Sequence, residues 1–226
     1  MALNCGIVAL PNVGKSTIFS ALTSSPAEVA NYPFCTIAPN VGVVNVGDER
    51  LEQIADLVGP EKTIPTIVEI MDIAGLVKGA STGEGLGNQF LGHIRQVNAI
   101  LHVVRCFEDD NVVHVDGKID PLSDMETINI ELALADLEVV ERKLDKLPKL
   151  MKSQQKEIAS KAKIAKPVLE KLRDLLSDGK PARVLDADAG DLEAISDLDL
   201  ITMKKVLYVC NVDEDSILTG NDLSNK

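Results

Sequence analysis

The chain has 226 residues, a formal net charge of −12 and only 3% aromatic residues with no tryptophan, so it fits one large domain, with or without an insertion, around an aliphatic core. The acidic charge argues against a protein that simply coats nucleic acid. No apolar run is long enough to span a membrane, no secretion signal is visible, and the four scattered cysteines suit a reducing compartment, so we expect a cytoplasmic protein.

The first predicted strand, residues 4–9, leads through a loop into a predicted helix, residues 16–22. Residues 9–16 match the phosphate-binding pattern G-x-x-x-x-G-K-[ST] except at the first position, where alanine replaces glycine. Such a loop surrounds a phosphate with backbone N–H groups, while its lysine reaches the β- and γ-phosphates and its hydroxyl ligates Mg²⁺. We therefore predict a nucleotide phosphate site at Asn12, Val13, Gly14, Lys15, Ser16 and Thr17.

Two further segments are typical of such a site. Thr36 precedes the second predicted strand, residues 41–46, in a loop that can close over the nucleotide. Asp72 and Gly75 form a D-x-x-G pattern at the end of the third predicted strand, residues 67–72, and residues 75–87 contain five glycines in all. In P-loop nucleotidases this Asp holds Mg²⁺ through water and this Gly senses the γ-phosphate. The predicted metal ligands are Ser16, Thr36 and Asp72.

A segment of different character follows the fourth predicted strand, residues 99–105. Apolar residues recur every three or four positions in two stretches, which predicts two helices, either an antiparallel coiled-coil hairpin or two amphipathic helices lying on the sheet. The seams are Ile130, Ala133, Leu137, Val140, Leu144, Leu147 and Met151, and then Ile158, Ala162, Ala165, Leu169, Leu172 and Leu176. Residues 142–173 carry eleven Lys and Arg against three acids, a net charge of +8 that leaves −20 for the rest.

The fifth predicted strand, residues 206–212, reads as an interior strand and ends at the segment where guanine-specific relatives carry N-K-x-D. This chain has Asn211, Val212, Asp213 and Glu214 there, so the lysine that packs on the base is missing and the carboxylate is one methylene longer. This change weakens a guanine site without creating an adenine site. Since one more strand and helix normally follow, we expect a fragment of a longer protein. Strands alternating with helices predict an α/β fold with a parallel-dominated sheet.

These motifs together resemble the YchF or Obg-like ATPase family of P-loop nucleotidases, and residues 75–91 are its most specific part. The resemblance covers nearly the whole chain. It implies a P-loop domain at residues 1–124 and 195–226, with an antiparallel coiled-coil insertion at 125–194. It also implies a protein that binds ATP and ADP more tightly than GTP, associates with the ribosome, and continues in its relatives into a TGS domain. From the +8 charge of residues 142–173 we expect this basic arm to contact the ribosome or ribosomal RNA, and we expect a monomer.

The resemblance and the motifs assign residues to the reaction. Catalysis is expected to use Lys15, Thr36 and, as a water-orienting group, His114, because Leu76 after the D-x-x-G pattern cannot polarise water. Base contacts are expected from Asn211, Val212 and Glu214. Mg²⁺ is the expected cofactor and K⁺ on Asn12 a candidate. Two other functions stay open: a nucleotide-binding regulatory module without significant turnover, and a GTP-hydrolysing switch.

Overall fold

The computed structural model describes residues 3–23, 40–73, 86–114 and 117–226. Within these ranges, four short 3₁₀ turns accompany the strands and α-helices, at Ala182–Val184, Ser196–Leu198, Ile201–Met203 and Glu214–Ser216. All five predicted strands are present within one residue of their predicted ends. The elements in chain order are β1 (Leu3–Val8), α1 (Lys15–Thr23), β2 (Val41–Asn45), α2 (Glu49–Val58), β3 (Ile67–Asp72), α3 (Leu86–Gln96), β4 (Ala99–Arg105), α4 (Pro121–Leu150), α5 (Lys156–Ser177), α6 (Ala189–Ile195) and β5 (Lys205–Asn211).

The sheet confirms the prediction of a mainly parallel α/β fold. Its strand order is β2-β3-β1-β4-β5, with β1 parallel to both β3 and β4 and with β2 antiparallel to β3. Ile7 near the end of β1 pairs with Asp72 at the end of β3. Because parallel strands end at the same edge of a sheet, the carboxyl ends of β1, β3 and β4 lie side by side, at the edge where open α/β sheets bind ligands.

The central strands are buried, and the fifth strand is not. Ile7 and Val8 of β1 are fully buried, and Val103 and Val104 of β4 are each only 1% exposed. By contrast, β5 lies at the end of the strand order, and its Leu207 is 61% exposed. Among the described residues β5 is therefore an edge strand with an exposed face, and its interior place in a longer sheet stays a prediction.

The two predicted long helices are present and pack against each other. Asp120 caps α4, which begins well before the predicted seam, and its side chain accepts a hydrogen bond from the Ser123 N–H. The chain reverses at residues 151–155, after Pro148, which lies inside α4. Most of the predicted seam is buried, but its first members Ile130 and Ile158 are each 39% exposed. A coiled-coil geometry for this pair stays a prediction.

Short helices add a further layer to the pair. Ala182, Ala194, Ile195 and Leu200 belong to the same apolar core as the buried residues of α4 and α5. This helical unit comprises residues 76–96 and 120–205, a wider division than the predicted 125–194, and the other unit comprises residues 1–75, 97–119 and 206–225.

A polar network explains why α3 belongs to the helical unit. The Arg95 guanidinium donates to the carbonyl of Asp199 at 3.0 Å and lies 3.5 Å from the carboxylate of Asp136, while Lys204 donates to the Arg95 carbonyl at 2.9 Å. Asp136 also accepts from the backbone N–H groups of Ile201 and Thr202, at 2.9 and 2.7 Å. Burial nevertheless raises the pKa of Asp136.

None of the described helices is long and apolar enough to cross a membrane.

Candidate nucleotide-binding site

The loop after β1 has the backbone of a phosphate-binding loop. Asn12 and Gly14 adopt left-handed conformations, with φ of 62° and 89°. The Gly14 carbonyl accepts from the Ile18 N–H at 3.0 Å, which joins the loop directly to the first turn of α1. Ser16 and Thr17 are exposed on that turn. Because the first N–H groups of a helix have no partner within it, this end of α1 is suited to an anion.

Glycine is required at position 14 for two reasons. A positive φ strains any residue with a Cβ atom. In addition, a Cβ built on Gly14 would lie 2.3 Å from Nδ2 of Asn211, well inside van der Waals contact. This amide donates to the Val13 carbonyl at 2.9 Å, so the end of β5 rests directly on the phosphate loop. The predicted loop and the predicted base segment therefore meet at Gly14 and Asn211.

Lys15 and Asp72 form an ion pair. The ammonium donates to Oδ1 of Asp72, and both side chains are only 12–13% exposed. Asp72 itself is fixed by β3, where its N–H donates to the Asn40 carbonyl at 2.8 Å. The residue predicted to bind phosphate and a residue predicted to bind Mg²⁺ therefore neutralise each other here. A triphosphate that enters with its metal ion can replace both partners. Its phosphates take the place of the Asp72 carboxylate beside Lys15, and the metal ion takes the place of the Lys15 ammonium beside Asp72.

The residues present fit Mg²⁺. No group of three His, Cys, Asp or Glu side chains suited to a metal occurs in the described ranges. Mg²⁺ does not need such a group, because it is commonly held by one or two carboxylates together with waters and substrate phosphates. Asp72 supplies one carboxylate and Ser16 an exposed hydroxyl. The other predicted residues at the phosphates, Thr36 and Gly75, lie outside the described residues.

The loop after β4 is organised by Arg105, which the sequence analysis missed. Its buried guanidinium donates to three carbonyls of the loop, those of Phe107 at 3.1 Å, Val112 at 2.9 Å and Asp109 at 3.2 Å. It also lies 4.6 Å from the centroid of the Phe107 ring. An arginine that ends an apolar strand is the only signal of this role in the sequence, since backbone carbonyls have no sequence pattern.

Asn12 connects this loop to the phosphate loop. Its Nδ2 donates to the carbonyl of Val113 at 3.1 Å. His114 follows Val113 directly and is only 9% exposed. The predicted water-orienting histidine therefore belongs to a loop that is anchored both on Arg105 and on the phosphate loop. For K⁺, the atom of interest is the amide oxygen of Asn12, since the nitrogen makes the Val113 contact.

The predicted base segment, residues 211–214, is held by a turn. Val212 is half-buried and Glu214 is exposed. The carboxylate of Asp213 accepts from the N–H of Ser216 at 3.0 Å and from its hydroxyl at 2.6 Å. These hydrogen bonds lower the pKa of Asp213, and the bond from the Ser216 hydroxyl has the largest effect. Asp213 is thus engaged within the protein, and Glu214 makes no hydrogen bond to the described residues.

Comparisons with known proteins show which chains this one is similar to. A family model for "50S ribosome-binding GTPase" matches residues 4–143. The "Ribosome-binding ATPase YchF" of Bacillus subtilis (strain 168) is 54% identical over 224 residues, covering 98% of this chain and 60% of that protein. The protein of the same name from Escherichia coli O157:H7 is 54% identical over 215 residues, covering 95% and 58%.

A solved structure of the Schizosaccharomyces pombe YchF GTPase matches the fold with a TM-score of 0.81 and 40% identity, covering 99% of this chain and 60% of that chain. The similarities confirm the family resemblance that the motifs indicated. The chain spans about 60% of the length of the relatives it matches.

Proposed function

Because this chain belongs to the family of 50S ribosome-binding GTPases, whose model matches residues 4–143, we propose that it is a P-loop nucleotidase that binds ATP, hydrolyses it slowly and acts as a switch on the ribosome. The observation that carries this proposal is the phosphate loop itself. Gly14 is left-handed at the start of α1, and Lys15 lies beside Asp72 at the sheet edge. Homology to the YchF proteins over 98% of the chain supports it.

The phosphate chemistry follows from the ion pair. Lys15 would leave Asp72 to contact the β- and γ-phosphates, and Asp72, Ser16 and Thr36 would hold Mg²⁺. When bound, the metal supplies positive charge to the phosphate oxygens. The backbone N–H groups of residues 12–17 would surround the β-phosphate, and the N–H of Gly75 is proposed to contact the γ-phosphate. Rate enhancement then comes mainly from positioning and charge neutralisation by these groups.

The base is proposed to be adenine in preference to guanine. A guanine reader needs a carboxylate facing N1–H and N2–H₂ and a lysine stem packed on the base. Here Val212 replaces that lysine, and Glu214 extends the carboxylate by one methylene. The relatives support ATP unevenly, since the Bacillus subtilis protein is named an ATPase and the Schizosaccharomyces pombe structure a GTPase.

His114 is proposed to orient the attacking water, with K⁺ on Asn12 as a second charge at the phosphates. The hydrogen bond from Asn12 to Val113 holds the histidine loop against the phosphate loop, which supports both assignments. His114→Ala should slow single-turnover hydrolysis, and replacing K⁺ by Na⁺ should slow it if the Asn12 oxygen binds the ion. Equal rates in either comparison remove the residue concerned from the mechanism.

The ribosomal contact is proposed to use the basic end of the α4–α5 pair, with the protein acting as a cytoplasmic monomer. Five exposed lysines there form no ion pair with the described residues: Lys146, Lys149, Lys152, Lys156 and Lys163. Lysines that neutralise RNA phosphates release counterions, so binding should weaken steeply with salt. Cosedimentation with ribosomes at low and moderate salt tests this, with Lys149, Lys152 and Lys156 changed to Glu. Equal sedimentation of the wild type and the charge-reversed variant would contradict ribosome binding through these lysines.

Isothermal titration with ATP, GTP and ADP, with and without Mg²⁺, tests the nucleotide proposal. We expect ATP and ADP to bind, GTP to bind more weakly, and Mg²⁺ to strengthen ATP more than ADP. Tighter binding of GTP would overturn the base assignment. Multiple-turnover phosphate release by the same protein separates a hydrolase from a nucleotide-binding module without turnover.

A further inference from the structure

The side chain of Asn221 uses all of its hydrogen-bonding capacity. Its Oδ1 accepts from the N–H groups of Leu223 at 3.1 Å and Ser224 at 2.9 Å. Its Nδ2 donates to the Cys106 carbonyl at 2.7 Å and to Oδ2 of Asp213 at 3.3 Å. A primary amide has two donor hydrogens and two acceptor lone pairs. No other side chain of this length offers both, so position 221 is specified as asparagine.

These bonds connect three parts of the nucleotide-binding unit. Cys106 follows β4 directly, and its N–H donates to the Asn211 carbonyl at 2.7 Å. Asn211 in turn donates from its side chain to Val13 in the phosphate loop. A continuous path of hydrogen bonds therefore runs from Asn221 through Cys106 and Asn211 to the phosphate loop.

The second branch fixes the segment that would read the base. Ser216 and Asn221 engage the two carboxylate oxygens of Asp213, one each. Because Asp213 lies between Val212 and Glu214, fixing it limits the movement of both neighbours. It also occupies the carboxylate of Asp213, which leaves the exposed Glu214 as the carboxylate of this segment that can turn to a base.

We propose that Asn221 is a positioning residue for base recognition, which sets residues 211–214 at a fixed distance from the phosphate loop. This inference rests on the proposed nucleotide function. An exposed polar turn has no apolar core to fix it, and a base contact gains affinity only when its partner is held in place beforehand. Asn221 supplies that order from outside the segment, through β4 and through Asp213.

A purely local role for Asn221, capping the turn at residues 222–225, is the alternative. Asn221→Asp separates the two roles, because a carboxylate still accepts from Leu223 and Ser224 but cannot donate to Cys106. It also places a second negative charge against Asp213. Asn225→Asp is the matched control, since it makes the same charge change four residues away at an exposed position.

The experiment is isothermal titration of the full chain and its variants with ATP, GTP and inorganic tripolyphosphate, all with Mg²⁺. Tripolyphosphate probes the phosphate site without a base. We expect Asn221→Asp to weaken ATP binding by about tenfold, as the loss of one or two hydrogen bonds predicts. Tripolyphosphate affinity should stay unchanged, the ATP-to-GTP preference should fall towards one, and Asn225→Asp should match the wild type.

Three results would count against the proposal. Wild-type ATP and GTP affinities in Asn221→Asp would overturn it, and so would an equal loss for ATP and tripolyphosphate, because that indicates general damage. A wild-type protein that binds ATP no more tightly than tripolyphosphate would overturn the proposed base site itself and this inference with it. The first two results leave the proposed function standing.

A measurement on the wild type keeps the proposal testable even when the variant folds poorly. The side-chain amide of Asn221 gives its own ¹⁵N–¹H signals in NMR. We expect these signals to shift on addition of ATP and to stay in place on addition of tripolyphosphate. Identical spectra with the two ligands would overturn the positioning role.

Discussion

Replacing Gly14 by alanine is the sharpest structural test of the phosphate loop. Two costs add at this position. The left-handed conformation costs a residue with a Cβ atom about 1–2 kcal/mol. The new methyl, built 2.3 Å from Nδ2 of Asn211, also drives that amide away from Val13. Loss of this hydrogen bond costs about 1 kcal/mol. We therefore expect the free energy of unfolding to fall by about 2–3 kcal/mol.

Two other glycines separate these costs. Gly59 has a φ of 60° and no heavy atom within 4 Å of a built Cβ, so Gly59→Ala measures conformational strain alone. Gly47 also has open space around its Cβ position and lacks the positive φ, so Gly47→Ala should leave stability nearly unchanged. Thermal unfolding followed by circular dichroism gives all three values, and titration with ATP gives the affinities.

The predicted order of destabilisation is Gly14→Ala above Gly59→Ala above Gly47→Ala, with ATP binding lost only in the first. Adding Asn211→Ala to Gly14→Ala removes the clash, so the double variant should be less destabilised than the sum of the single variants. A Gly14→Ala protein no less stable than Gly59→Ala would refute the contact between the phosphate loop and Asn211.

Three further outcomes are expected. Arg105→Met should lower the free energy of unfolding by about 3 kcal/mol, measured by urea denaturation, because three loop carbonyls lose a buried donor; an unchanged midpoint would contradict this. The pKa of Asp136 is raised by burial, so its contribution to stability is complete below the unfolded value of 3.8 and is lost as pH rises through the folded value. The Tm advantage of the wild type over Asp136→Asn should therefore shrink as pH rises from about 3.8. A constant advantage would count against a raised pKa of Asp136. Arg95→Met should weaken the attachment of the end of α3, seen as faster amide hydrogen exchange at Gln96, and unchanged exchange would contradict the role of the Asp199 and Asp136 contacts.

The fold could be predicted from the sequence where burial leaves a clear pattern. The strands at residues 3–8 and 99–105 are mostly apolar and mostly buried, and each has a neighbouring strand on both sides. The fifth strand has the same kind of pattern, yet its Leu207 is exposed. A hydrophobic pattern does not reveal whether another element packs on the strand. The helix pair was predicted from its heptads, whereas Ile130 and Ile158 show that the ends of a seam are less certain than its middle.

The site was predictable where chemistry needs particular side chains in a fixed order. The phosphate loop and the Asp72 pattern were recognised because backbone geometry and charge restrict them to a few residue types. Arg105 and Asn221 were missed, since their partners are mostly backbone groups of distant segments. Such contacts place no demand on the partner's side chain and therefore leave no pattern to read.

Titration of ATP with Mg²⁺ into the wild type and into Lys15→Ala tests the central claim most directly. Lys118→Ala is the control, because Lys118 is an exposed lysine of the same unit. Circular dichroism establishes that each variant is folded. The account predicts saturable ATP binding by the wild type and by Lys118→Ala, and no measurable binding by a folded Lys15→Ala. Unchanged ATP affinity in folded Lys15→Ala would contradict the assignment of residues 12–17 as the phosphate site.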